Sequence, residues 1–116
     1  MNQQVSYYMT EHVNGRNFWK FMHTTAAYYP TTPTEEQQKE MHFFISKSAK
    51  YFLLNNEWKL YWKDRVKAHP PKVSNDKELM TWVCEEHNYL NEALGRDLFS
   101  CRPQNLKNRW GPFINK

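Results

Sequence analysis

The sequence contains no run approaching the roughly 20 apolar residues that a membrane-spanning helix requires. Its opening, MNQQVSYYMTEH, has no basic stretch followed by an apolar one, so a cleavable secretory signal is not expected. No segment sustains the alternation of apolar and polar residues that marks a strand, and no Asn-Gly or Asp-Gly pair joins two β-branched runs. Internal repeats and low-complexity segments are absent as well. Cysteine is confined to Cys84 and Cys101, the smallest number that can close a bridge. The histidines lack the spacing of a metal site, so no metal centre is expected.

What the chain does have is bulk. Its 116 residues fall in the size range of one domain that can bury a core unaided. Hydrophobic residues make up 40% and aromatic residues 16%, so a few large side chains must supply much of the buried area. The net charge of +4 favours acidic partners only weakly, because the basic residues are spread along the sequence. The densest basic stretch, 102–116, carries Lys107, Arg109 and Lys116 beside Trp110 but no nucleic-acid-binding motif. A solvated basic tail accounts for it, and nucleic acid is not an expected partner.

Helix signals recur along the chain. Asn14 can cap a helix over 15–28, with Trp19, Met22, Ala26 and Tyr29 at helical spacing. Pro30 and Pro33 end it, and Thr34 with Gln37 forms a capping box for a second helix over 35–52. Its expected core face is Met41, Phe44, Ile45, Ala49 and Phe52. Asn55 or Asn56 can cap a third helix over 57–68, closed by His69-Pro70-Pro71. A fourth begins near 74–76 and ends at Gly95, with Leu79, Trp82, Val83, Leu90 and Leu94 as its apolar stripe. A short fifth runs from Pro103 to Trp110. The fold class is therefore all-α, a four-helix bundle plus a short fifth helix.

The fourth helix also carries Cys84, His87, Asn88 and Asn91 along one side. A solvated face is one reading. Against it, two asparagines sit in a helix interior, where they are poor helix formers but could serve a ligand. Amides and an imidazole backed by aromatics suit a nucleotide better than a metal. Neither the low pKa nor the access that a reactive thiol needs can be read for Cys84. A bridge to Cys101 across 17 residues is the more plausible use, worth about 3 kcal/mol in the chain-entropy model. It would imply an oxidising compartment.

Three blocks together, GRNFWKFMHTTAAYYPTTPTEEQQ (15–38), WVCEEHNYLNEALGR (82–96) with Cys101, and the terminal Arg109-Trp110, resemble the Erv/ALR flavin-linked sulfhydryl oxidases. The resemblance covers about 15–110, leaving 1–14 as an N-terminal arm and 111–116 as a C-terminal tail. It implies a helical bundle that holds FAD non-covalently and forms a homodimer. The flavin contacts it implies are Gly15, Arg16, Trp19, His23, Tyr28, Cys84, His87, Asn88 and Asn91, with Leu90, Arg96, Phe99 and Trp110 beside them.

The oxidases of this family also need a Cys-x-x-Cys pair beside the flavin, at the junction of the second and third helices. Aligned by its flanks, this chain has Leu54 and Glu57 there, and no cysteine precedes residue 15. No catalytic residue is therefore assigned. The expectation is a catalytically inactive relative that retains FAD as a structural ligand, with an empty pocket as the alternative. It would act as an interaction subunit of a larger assembly, mitochondrial and in the intermembrane space. Trp58, Tyr61 and Trp62 on the third helix could form an interface or face the core. The competing reading is an active flavoprotein oxidoreductase that uses a donor other than a neighbouring dithiol.

Overall fold

The structure is a computed structural model and describes residues 12–52 and 55–112. Most of the N-terminal arm, the end of the tail, and Leu54 lie outside the described residues. Among the described residues five α-helices follow in order: α1 (Val13–Ala27), α2 (Glu35–Lys47), α3 (Asn56–Ala68), α4 (Asp76–Ala93) and α5 (Pro103–Trp110). A 3-10 turn, Ser48–Lys50, extends α2, and there is no strand among the described residues.

Local signals set most helix ends. Thr34 and Gln37 close both halves of the capping box at α2, with contacts of 3.0 and 2.9 Å. Asn55 caps α3 through the Trp58 N–H, and Asn75 caps α4 through the Glu78 N–H. At α1 the cap is His12 rather than Asn14, because the His12 Nδ1 accepts the Asn14 N–H at 3.1 Å. Gly95 closes the α4 end at φ +68°, a conformation that disfavours a side chain.

The second helix is shorter than its periodicity implies. The Ile45 carbonyl accepts the Ser48 hydroxyl and the Trp62 indole N–H, both at 2.9 Å. Two side chains thus occupy the carbonyl that a continuing α-helix would use, and the chain tightens into the 3-10 turn. Of the face expected to be buried, Ile45 and Ala49 are buried and Met41 and Phe52 partly so. Phe44 is exposed, with Phe21 as its ring neighbour.

Phe18 on α1 lies at the centre of the core. Trp19, Phe52, Trp58 and Trp62 surround it edge-on, with ring centroids 5.0 to 5.5 Å away, an arrangement favoured by the ring quadrupoles. Trp62 in turn meets Trp82 of α4 at 5.8 Å. Trp58 and Trp62 are fully buried and Tyr61 partly buried, so these residues face the bundle and are not an interface.

The fourth helix is central, packed against α1 and α5, so both of its stripes are covered. Cys84 and Asn91 are buried, which excludes a solvated face there. A third side holds Glu86, 2% exposed, in a two-pronged pair with Arg65 of α3 at 2.9 and 2.8 Å. The His69 Nδ1 approaches the same carboxylate at 2.7 Å. Lys107 fastens α5 by donating to the Ala27 carbonyl at 2.6 Å and to Asp76 at 3.2 Å. Glycine is required where α5 ends, since a Cβ on Gly111 would lie 2.6 Å from the Lys107 carbonyl oxygen.

Candidate functional site

Where α1, α4 and α5 meet, a half-open cleft of about 180 Å³ is lined by residues from all three and from the segment after Gly95. From α1 come Arg16 and Trp19, less than one turn apart, with Lys20 one turn beyond Arg16. His87 and Asn91, also one turn apart, come from α4, and Arg109 and Trp110 from the end of α5. Arg96 and Phe99 complete it.

The ring system of the cleft is tightly ordered. The His87 ring lies parallel to Trp19, 4.5 Å between centroids, and His23 lies parallel to Trp110 at 4.7 Å. The His23 Nε2 and His87 Nδ1 share a hydrogen bond of 2.9 Å. Burial, then the His87 and Arg109 charges, push His23 down to about 3. Burial and Arg109 push His87 down to about 4. Both imidazoles are therefore neutral at physiological pH, flat and able to donate or accept.

Asn88 does not turn toward the cleft. Its amide donates to the Phe99 carbonyl at 3.0 Å and accepts the Phe99 N–H at 2.9 Å, closing both backbone groups of that residue. It also donates to the Cys101 sulfur at 3.3 Å. Cys84 and Cys101 are joined as a disulfide, with 5.6 Å between Cα atoms. Bridge and amide together hold Phe99 against α4, and Phe99 supports the Arg109 guanidinium, 4.7 Å above its ring.

Of the thirteen residues expected at a ligand site, Arg16, Trp19, His87, Asn91, Arg96, Phe99 and Trp110 line the cleft. His23 supports it through His87 and Trp110. Cys84 and Asn88 shape its wall from behind. Gly15 is buried in the first turn of α1 and Leu90 is fully buried in the core. Tyr28 stands apart, 57% exposed at the end of α1. Lys20 and Arg109 were not expected. Lys20 was legible as the next cation on the Arg16 face of α1, and Arg109 stood in the motif with Trp110 without a role of its own.

The lining combines cationic and aromatic side chains. Arg16, Lys20, Arg96 and Arg109 place four cations on the cleft, and Phe99 and Trp110 offer it partly exposed rings, whereas Trp19 is 2% exposed and stacked on His87. The Trp19 Nε1 is buried with no hydrogen-bond partner among the described residues. Such an orphaned donor costs free energy unless something accepts from it. No group of three potential metal-ligating side chains occurs among the described residues.

The sequence model of the Erv1 / Alr family matches residues 16–111, which includes every residue of this cleft. The chain belongs to the Erv1/Alr family. The mitochondrial FAD-linked sulfhydryl oxidase erv1 of Schizosaccharomyces pombe is 36% identical over 90 residues, covering 76% of this chain and 49% of that protein. The FAD-linked sulfhydryl oxidase ERV1 of Arabidopsis thaliana is 31% identical over 97 residues, 84% of this chain and 49% of that protein. The chain thus spans about half the length of the curated relatives it matches. The crystal structure of the FAD binding domain of Erv1 from Saccharomyces cerevisiae superposes with a TM-score of 0.75 at 31% identity, covering 88% of this chain and 94% of that one. The crystal structure of the yeast Erv1 core gives 0.74 at 33% identity, with 84% and 80% covered.

Proposed function

We propose that this Erv1/Alr-family chain holds FAD in the α1/α4/α5 cleft as a structural ligand and acts as an interaction subunit of a mitochondrial assembly. The cysteine inventory carries this reading. Both cysteines of the chain are joined to each other in the bridge behind Phe99. The α2–α3 junction, where the family resemblance places the redox pair, has Leu54 and Glu57 instead. Glu57 is exposed in the first turn of α3, where a carboxylate suits the helix N-terminus.

The residues of the cleft fit FAD. Arg16, Lys20, Arg96 and Arg109 would hold the pyrophosphate, and Phe99 and Trp110 would flank the adenine, with the neutral His87 and Asn91 available to its polar edge. The orphaned Trp19 Nε1 would gain an acceptor. When bound, FAD supplies a two-electron acceptor that oxygen can reoxidise, and a chain without a neighbouring dithiol cannot feed it by the family route.

Two of the relatives named as FAD-linked sulfhydryl oxidases, those of fission and budding yeast, are named as mitochondrial. The disulfide is compatible with an oxidising compartment such as the intermembrane space. The test is purification followed by a visible spectrum and an oxygen electrode trace with dithiothreitol. Flavin bands with oxygen uptake no faster than free FAD support the proposal. Steady uptake well above free FAD would establish an active oxidase with another electron entry. Colourless, folded protein would reject the cofactor.

A further inference from the structure

On the outer side of the α2–α3 junction lies a second, larger groove of about 330 Å³, and its chemistry differs from that of the cleft. Its walls carry Lys47 and Lys50 from the end of α2 and the 3-10 turn, and Lys59 and Lys63 from successive turns of α3. No carboxylate lines it. None of these lysines has an ion-pair partner among the described residues. Between Lys59 and Lys63, Leu60 stands 63% exposed over a floor that includes Ala49. The Trp62 indole beneath it is buried and donates to the Ile45 carbonyl at 2.9 Å, joining α3 to the end of α2.

A solvated helix face accounts for any one of these lysines, and Lys47 also suits the α2 C-terminus. It does not account for four of them turned onto one concave surface around an exposed leucine. Four like charges at close quarters repel one another and raise the free energy of the isolated chain, and an acidic partner would relieve that repulsion. Nucleic acid fits less well. The residues that line the groove include no arginine for bidentate phosphate contacts, and their one ring, Trp62, is buried.

We propose that this groove is the docking site for an acidic amphipathic segment of a partner protein, with carboxylates on Lys47, Lys50, Lys59 and Lys63 and an apolar side chain against Leu60. The site rests on the reading of this chain as an interaction subunit and names the surface and the partner chemistry. It is separate from the nucleotide cleft, since no residue lines both.

The probe is a fluorescein-labelled 16-residue helical peptide with a leucine stripe flanked by glutamates. A peptide of the same composition with the stripe scrambled and a single-stranded RNA oligonucleotide serve as the other two arms. Fluorescence polarisation should show saturable binding of the striped peptide, at least about tenfold tighter than either control and weakened by salt. The double variant Lys59→Glu, Lys63→Glu should lose about tenfold or more in affinity. The same charge change at Lys72 and Lys77, which line a different hollow, should have little effect. Melting curves confirm folding, and Lys59→Gln with Lys63→Gln gives a milder variant should charge reversal unfold the chain. Equal binding of the scrambled peptide, equal or tighter binding of RNA, no saturation, or indifference to both groove variants would each overturn the proposal. The flavin spectrum of the same samples reports the cleft alone, so loss of flavin with retained peptide binding, or the reverse, separates the two readings.

Discussion

His23 and His87 are bonded ring to ring at 2.9 Å, and each is stacked on an indole, His23 on Trp110 and His87 on Trp19. One imidazole must donate and the other accept, so the pair requires at least one neutral ring, and burial beside Arg109 keeps both neutral.

That pair makes stability fall on mild acidification. Unfolded histidine takes up a proton near pH 6.5, whereas these two wait until about 3 and about 4. Between pH 6.5 and about 4 the unfolded state therefore binds more protons, and folding weakens by up to roughly 1.4 kcal/mol per pH unit for each histidine. Urea midpoints measured at pH 7.5, 6 and 5 should decline steeply, and His23→Gln should flatten the slope. A midpoint independent of pH across this range would contradict the buried neutral pair.

The Cys84–Cys101 bridge closes a 17-residue separation and pins the chain that carries Phe99. Replacing both cysteines with alanine is expected to cost about 3 kcal/mol in urea denaturation. Flavin affinity should fall as well, because Phe99 and Arg109 lose their support. Native protein should resist alkylation until reduced, and two free thiols in native material would reject the bridge.

The difference between Cys84 and Asn88 on the one hand and Leu60 on the other shows what the sequence could reveal. Helix spacing, caps and the Gly95 turn are local, and so were legible, as was the bridge once two cysteines stood 17 residues apart. Asn88 was readable as a polar residue inside a helix, but its commitment to the Phe99 backbone depends on where the chain returns after Gly95. Phe44 and Trp58 carry the same apolar signal at similar helical spacing. Trp58 is buried against the Phe18 and Trp19 rings of α1, whereas Phe44 stays exposed on α2. The groove lysines are scattered over 47–63 in sequence and become one surface only when α2 folds against α3.

Arg65 holds the buried Glu86 with two hydrogen bonds, and the Glu86 bond raises the guanidinium pKa further. Arg65→Met should destabilise by about 3 kcal/mol, since it leaves a buried carboxylate with only His69 beside it. The double variant Arg65→Met, Glu86→Leu should recover most of that loss, because it removes the uncompensated charge along with its partner. Chemical denaturation of Arg65→Met, Glu86→Leu and the double variant measures the coupling. Additive effects would mean that the pair contributes nothing as a pair.

Trp19 separates a ligand contact from a packing role. Its ring stacks on His87 and meets Phe18 edge-on, while its Nε1 is buried with no acceptor among the described residues. Trp19→Phe keeps an aromatic face but removes that donor. If bound FAD accepts from Nε1, the substitution should weaken flavin binding by about tenfold, the net worth of one hydrogen bond. The cofactor-free protein should lose stability only from the smaller ring, about 1 kcal/mol, since it forfeits no hydrogen bond. Isothermal titration with FAD and urea melts of the flavin-stripped protein read the two effects independently. Unchanged affinity alongside lowered stability would assign Trp19 to the core and leave the cations and Asn91 to carry recognition.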